Sequence, residues 1–400
     1  MRSNRPAFGR WIVIALLILA AACGGGDAAD RHAGIPMDTL ANGAVLVSNP
    51  ATGAWDDDSR WTLATELVIG SIAGNGPDLF GEITGVEVDR LGRIYVADRQ
   101  AAEVRVFNSD GSHVRTFGRR GRGPGEFEQL VGLGWGADGN LVVVDAANGY
   151  IDFDTTGTWI GVRRRETAAT LVTVPWPGGF GFGGEIFDIG MDLSSGSPRR
   201  SLLRYSADLA SVDTIPLPEY EQPVFTVQTG PGRIMAAPVP FAPAQFWAID
   251  PAGSRWSGIS GEYRLVQQDF SGDTIRIVER EHTAERVTNA DMEAMMARLS
   301  GFAGLGGQID RSQIPDTHPA FGAIFVDDRS NLWVTVPRGE ASAPGFELDV
   351  FDAMGRYLGR VGSDVGDLSG RPVIRSDYIF AVVRDELEVA KIARLRIDRG

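Results

Sequence analysis

The sequence predicts an all-β fold, a six-bladed β-propeller built of four-stranded antiparallel blades. Three observations predict it: a repeat of fixed spacing, a turn signature that recurs along the chain, and an N-terminal strand with no partner of its own. In the repeat, GVEVDRLGRIYVAD from Gly85 returns as GLGWGADGNLVVVD from Gly132. Gly85, Gly92 and Asp98 map onto Gly132, Gly139 and Asp145 at a constant offset of 47. Self-similarity at such a period marks a supersecondary unit that buries its faces against its own copies. Each copy continues into a third strand and a turn, EVRVFNSDG ending at Gly111 and YIDFDTTG ending at Gly157. SHVRTFG, Ser112 to Gly118, supplies a fourth strand.

The turns between strands carry a mechanism. Asp89 to Gly92, Asp154 to Gly157, Asp250 to Gly253, Asp269 to Gly272 and Asp352 to Gly355 all read Asp-x-x-Gly. The aspartate caps the turn with its carboxylate, and the glycine accepts a positive φ. None continues into the spaced acidic loop ending in glutamate that a calcium hand requires, so these acids are read as turn residues.

Later blades follow the same pattern. Blade three spans Thr170 to Pro216 with EIFDIGMDL and SLLRYSADLASVDTIPL, and blade four spans Pro243 to Arg280. Blade five spans His318 to Val361, with AIFVDDRSNLWVTV and FELDVFDAMGRYLGRV. Blade six, Asp367 to Asp398, supplies only three strands. The alternating segment Trp61 to Val68 precedes blade one and lacks an earlier partner, so it is expected to complete blade six and close the ring.

The N-terminus sets the expected compartment. Arg2, Arg5 and Arg10 precede an apolar run from Trp11 to Ala22, too short for a permanent membrane span. The run ends Leu19-Ala20-Ala21-Ala22-Cys23-Gly24, and Cys23 is the single cysteine of the 400 residues. Residues 1–22 are therefore read as a signal peptide, 23–58 as a flexible tether and 59–400 as the propeller. No cysteine remains for a disulfide, so the core alone must hold the fold. The chain carries a net charge of −14, and loss of the three signal arginines leaves −17. A surface of that sign disfavours nucleic acid and anionic lipid as partners. Of 38 basic residues only Lys391 is lysine, a bias read as base composition rather than phosphate binding.

The Leu19 to Gly24 segment resembles the lipobox of bacterial lipoproteins, in which the cysteine is acylated; Ala20 stands where leucine is commonest. Gly85 to Phe127, a blade followed by a glycine-proline connection, resembles the NHL-type repeat. The wider stretch from Trp61 to Asp398, with LWV, VFDAMGRYL and AVVRDELEVAKIARLRI near its end, is similar to six-bladed propeller lipoproteins of bacteria. The resemblance implies lipid attachment at Cys23 and a monomeric propeller at the cell envelope. It implies no reaction.

Several motifs are candidate sites. Gly118 to Gly125 is glycine-rich, but Glu126-Phe127-Glu128 follows where a phosphate cradle needs a helix, so it is read as an inter-blade loop. Its Arg115, Arg119, Arg120 and Arg122 suit a carboxylate or a neighbouring loop. Thr288 to Asp291 resembles a capping box opening a helix. Met292, Met295, Met296 and Leu299 then share one face of an insertion spanning 281–317, the expected place for a partner contact. His32 lies in the tether, and His113, His282 and His318 lie in different repeats without zinc spacing. Glu82, Gln129, Gln245, His318 and Arg371 precede the innermost strands and are the expected polar residues of the channel mouth. They form no acidic cluster, and no Gly-x-Ser-x-Gly elbow occurs. The chain is thus read as a non-catalytic binding or scaffold module for a protein or small molecule, with no cofactor. The alternative is a calcium-dependent hydrolase of the lactonase or arylesterase type.

Overall fold

Six antiparallel sheets account for the blades of the computed structural model, which describes residues 34–164, 175–181, 183–192, 199–230, 233–339 and 342–400. Blade one runs from Ile83–Val88 to His113–Phe117, and blade two from Leu130–Trp135 to Trp159–Arg163. Blade three runs from Gly179–Phe180 to Val212–Pro216, and blade four from Gln245–Asp250 to Thr274–Arg280. Blade five runs from Ile324–Val326 to Tyr357–Ser363. Blade six takes Asp367–Arg375, Tyr378–Arg384 and Ala390–Asp398 from the C-terminal end of the chain and Thr62–Ile69 as its outer strand. That last strand pairs antiparallel along Ile392 to Asp398. The first strand of each blade lies against the first strands of both neighbours, blade six against blade one included. The chain is an all-β six-bladed propeller.

Strand alternation explains where the core sits. Side chains leave a strand on both faces, and a blade wedged between two others buries both. Every residue of Ile94–Asp98 and of Leu141–Asp145 is buried, whereas the outer strand His113–Phe117 is half-exposed. The apolar clusters accordingly lie between blades. Tyr95, Val104, Leu133 and Val143 join blades one and two, and Val96, Ile94, Phe380 and Ile392 join blades six and one.

All five Asp-x-x-Gly segments are turns of the expected kind. Their glycines have φ between +78° and +97°. In the first, the Gly92 N–H donates to the Asp89 carbonyl at 3.1 Å, while the Asp89 carboxylate accepts from the Leu91 and Arg93 N–H groups at 2.9 Å each.

Two departures from expectation concern the ends and joints. Residues 35–58 are not a free tether. Met37–Thr39 and Val45–Asn49 add two strands to blade four, the second pairing parallel with Thr274–Arg280. The Asn49 side chain is 2% exposed; it donates to the Glu279 and Gly355 carbonyls at 3.1 and 3.0 Å and accepts from the Tyr357 N–H at 2.7 Å. Farther on, the Ala54 and Trp55 N–H groups donate to the Tyr357 and Leu358 carbonyls at 3.1 and 2.9 Å. The Trp55 ring lies 5.1 Å from Trp61, which lies 5.9 Å from buried Trp333. The segment is a strap across the rims of blades four and five before it enters blade six. It forms because those rims would otherwise leave backbone donors and acceptors unpaired. The earlier residues, including the expected signal peptide and Cys23, lie outside the described residues.

The second departure is a hairpin, Val224–Gly230 with Arg233–Pro238, between blades three and four. Its Phe225 and Val239 pack with Phe302 and Leu299 of the later insertion. That insertion contains the helix Asn289–Arg298, opened by a capping box in which Thr288 and Asp291 exchange backbone hydrogen bonds. The expected helix is there, but it packs on a second insertion that the repeat pattern did not reveal.

The strap yields a stability prediction. A chain beginning at residue 59 is expected to melt well below one beginning at residue 35, because it loses the two added strands and the Asn49 bridge between blades. Equal melting temperatures by circular dichroism would show that the strap contributes nothing.

Candidate functional site

Glycine shapes the lumen. On the inner strand of blade two, a Cβ at Gly134 would fall 2.0 Å from the Phe180 ring, so only glycine lets that ring pack against the strand. A Cβ at Gly179 would fall 2.9 Å from an Arg371 nitrogen. The channel that results has a volume of about 440 Å³ and takes wall residues from all six inner strands or the turns after them. A second cavity of about 520 Å³ adjoins it at the mouth; Pro175, Trp176, Gly370 and Arg371 belong to both.

Arg371 stands at that junction because its strand bulges. Ser369 pairs with Val382 and Val373 with Phe380, so Gly370, Arg371 and Pro372 together oppose Ala381. Gly370 adopts φ +75°, and proline, lacking an N–H, suits an unpaired position. The bulge re-aims Arg371 into the lumen, where its guanidinium is solvent-accessible yet ringed by protein. One N–H donates to the Gly178 carbonyl at 3.2 Å. Enclosure pulls its pKa down and the nearby Glu87 pushes it back up.

Glu87 lies on the inner strand of blade one, half-buried in the same channel. Its carboxyl is pushed up to about 7 by enclosure within the channel wall, against the opposing pull of Arg371, the Val88 N–H, Arg375 and the Trp135 indole. The two arginines act through space. Arg375 donates instead to the Val88 carbonyl at 3.2 Å. One buried donor in the wall, the Thr84 hydroxyl, has no hydrogen-bond partner among the described residues, and Thr84 is 6% exposed; the Trp135 indole N–H makes no close hydrogen bond but lies near enough to Glu87 to lower its pKa. Asp327 and Asp328 also line the channel but are engaged. Asp327 accepts from the Arg329 and Asn331 N–H groups, the Asn331 amide and the Trp333 indole at 2.8 to 3.1 Å. Asp328 accepts from the Ser376 N–H. Trp135, Trp176 and Phe180 make the wall aromatic, with Trp176 5.3 Å from Phe180. The arrangement offers a cation fixed at the junction, Arg371, beside Arg375 and Arg90, one carboxyl that titrates near neutrality and an apolar face. Among the described residues no three of His, Cys, Asp and Glu stand together to hold a metal ion.

Of the five residues expected at the channel mouth, the structure puts Arg371 on the lumen and engages others elsewhere. Glu82 pairs with Arg99 at 2.7 Å, and Gln245 donates to the Pro218 carbonyl at 2.8 Å. Gln129 is exposed and binds the Asp145 carboxylate through its backbone N–H. His318 is buried, 3.4 Å from Asp291 and edge-on to Phe241, where it joins the two insertions. Met292, Met295, Met296 and Leu299 are half-buried on the helix face, away from the channel residues. In the glycine-rich loop Arg119 and Arg122 are taken up by Glu126 and Glu128 at 2.7 and 2.5 Å. Sequence reasoning missed Glu87, Trp135, Trp176 and Phe180. The available signal was Glu87 itself, a charge inside an apolar inner strand whose counterpart one repeat later is Gly134.

The profile of a family described as a 6-bladed beta-propeller matches residues 77–173. No curated protein sequence matches this chain. Among solved structures, a putative exported protein from Bacteroides fragilis is similar at 13% identity and TM-score 0.50, covering 88% of this chain and 99% of its own. A gluconolactonase from Xanthomonas campestris is similar at 14% identity and TM-score 0.42, covering 79% and 86%. A virginiamycin B lyase from Staphylococcus aureus is similar at 14% identity and TM-score 0.42, covering 84% and 99%. At such identity the first likeness is one of fold.

Glu87 sets a pH dependence. Its pKa moves from 4.5 unfolded to about 7 folded, so between those values the folded state binds the extra proton. This group's contribution is therefore full below pH 4.5 and is lost as pH rises through 7. Glu87→Gln is expected to gain on the native protein across that window, by about 1–3 kcal/mol once channel water has screened part of the effect. Parallel stability curves for the two proteins from pH 4 to 8 would contradict the assignment.

Proposed function

We propose that this chain is an exported, lipid-anchored propeller that binds a small molecule in its central channel without transforming it. The observation that carries the reading is the channel itself. It is ringed by inner strands, walled by aromatic rings, and furnished with Arg371, Glu87 and the unpartnered Thr84 hydroxyl. Such an apolar concavity with a few convergent polar groups is the ordinary form of a ligand site. Among the described residues lining the channel, the other acids, Asp327 and Asp328, are engaged by turn N–H groups, and no His, Cys, Lys or Tyr joins Glu87 as the base or nucleophile that hydrolysis requires. A calcium-dependent lactonase or arylesterase would need several carboxylates converging on one ion, and Asp327 and Asp328 are held by the turns they cap. The exported location rests on the arginine-flanked apolar N-terminus, and the anchor on Cys23 and the residues before it.

Two measurements test this. The purified domain, mixed with a small-molecule extract and recovered by filtration, is expected to retain ligand by mass spectrometry; Ser369→Trp, which fills the channel, is expected to release it. Equal retention by the two proteins, or lactone or aryl-ester turnover that is lost on chelation, would overturn the reading. For the anchor, Cys23→Ser is expected to move the protein from the membrane to the soluble fraction, since acyl chains supply the binding energy. Unchanged membrane retention would show that Cys23 is not the attachment point.

A further inference from the structure

Building on the channel as the ligand site, we infer that its ligand is a small carboxylic acid with a planar apolar body, its carboxylate held by Arg371 and its body lying against Trp176, Trp135 and Phe180. The charges in the lumen are unequally committed. Asp327 and Asp328 have their negative charge satisfied by turn N–H groups and the Trp333 indole. Arg375 is directed to the Val88 carbonyl at the far end of the inner strand. Arg371 makes one bond to the Gly178 carbonyl and leaves the rest of its planar donor fork facing the junction of the two cavities.

A guanidinium in that position matches a carboxylate through two parallel hydrogen bonds. The surroundings fix the remainder of the molecule. Pro175, Trp176, Phe246 and Trp247 line the mouth side and Trp135 and Phe180 the channel side, so whatever reaches Arg371 must carry apolar surface. The Thr84 hydroxyl, also in the channel wall, has no partner among the described residues. A neutral hydrocarbon would leave the Arg371 fork and the Thr84 hydroxyl without partners, and a cation would meet Arg371, Arg375 and Arg90. A planar acid gives the Arg371 fork its acceptor and the aromatic wall its apolar contact.

Glu87 then works as a regulator of affinity. Arg371 and Arg375 from blade six and Trp135 from blade two act on it directly, and the other charged groups of the same channel wall are Arg90 from the turn of its own blade and Asp327 and Asp328 from blade five. While ionised it competes with an incoming anion for Arg371; once protonated it leaves the arginine to the ligand and becomes a donor itself. Binding of an acid is therefore tighter at pH 6 than at pH 8.

The probes are indole-3-acetate, phenylacetate and 2-naphthoate, each paired with its neutral primary amide, titrated into the full exported domain by calorimetry. Each acid is expected to bind at least tenfold more tightly than its amide. Arg371→Gln is expected to bring the acid down to the level of the amide and to leave the amide unchanged, with an unaltered melting temperature. Arg371→Lys keeps charge without the fork and is expected to fall between the two. Acid binding is expected to weaken severalfold from pH 6 to 8 in the native protein and to stay level in Glu87→Gln. Acids and amides binding alike, or Arg371→Gln weakening both equally, would overturn the carboxylate assignment while leaving the channel as a ligand site. Failure of every acid and every amide to bind at millimolar concentration would overturn both.

Discussion

The structure depends on how the chain is turned into each channel-lining strand, because backbone N–H groups there become buried with no strand beside them to accept. In blade one the answer is the Asp98 carboxylate, which is fully buried. It accepts from the Gly81, Glu82 and Ala101 N–H groups at 3.0 to 3.2 Å, while Arg105 approaches it at 3.4 Å. In blade two Asp145 does the same for Glu128, Gln129, Ala147 and Asn148 at 2.8 to 2.9 Å. One acid at the end of the second strand thus fixes both the start of the first strand and the turn into the third. Losing it would strand several buried donors and leave Arg105 partly unpaired, which is why the position carries a charge inside an apolar wall.

That same device accounts for how much of the fold was legible. Blades one and two repeat the aspartate, so their period of 47 can be read directly. In blade four the corresponding tie is made by Ser260, which accepts from the Ala244 N–H at 2.9 Å and donates its own N–H back to the Ala244 carbonyl. Blade five relies mainly on backbone, with Thr335 bonded to Gly322 and Ala323 and its hydroxyl also donating to the Ala323 carbonyl at 3.4 Å. A hydroxyl or a carbonyl solves the same hydrogen-bonding problem without leaving a signature. Turns behave likewise: Asp-x-x-Gly is conspicuous, whereas Asp327 to Ser330 and Asp385 to Glu388 make related turns through non-glycine residues at φ +60°. The strap was invisible for another reason. Its strands are three and five residues long, and the parallel partner of Val45–Asn49 lies some 230 residues away in sequence.

The candidate site was legible only at Arg371. Residues that precede inner strands are good guesses for a channel mouth, but the ties just described consume that region: Glu82 and Gln129 donate their N–H groups to the repeat's aspartates, and His318 and Gln245 are drawn toward the insertions. The groups that reach the lumen come from within the strands. Glu87 looked like one polar residue of an alternating strand until the ring showed that this strand has no solvent face. Arg371 reaches the lumen through a bulge, which no periodicity predicts.

The ties at the strand heads and the open channel are therefore linked. Glu87 and Arg371 carry opposite charges in one enclosed space, and a flexible scaffold would let them collapse into an ion pair. Here Glu87 belongs to a strand paired with Ile94–Asp98, whose last residue is the buried anchor, and Arg371 belongs to a bulge closed by Gly370 and Pro372. Approach beyond what side-chain rotation allows would require one inner strand to slide relative to its blade, breaking the ladder or the Asp98 bonds, each of which is worth more in a buried setting than an exposed contact. The ring keeps the two groups apart, so each bears a desolvation cost visible in its displaced pKa. Preorganised, incompletely satisfied charge of this kind is costly to fold around, and a bound molecule that completes its hydrogen bonds recovers that cost as affinity.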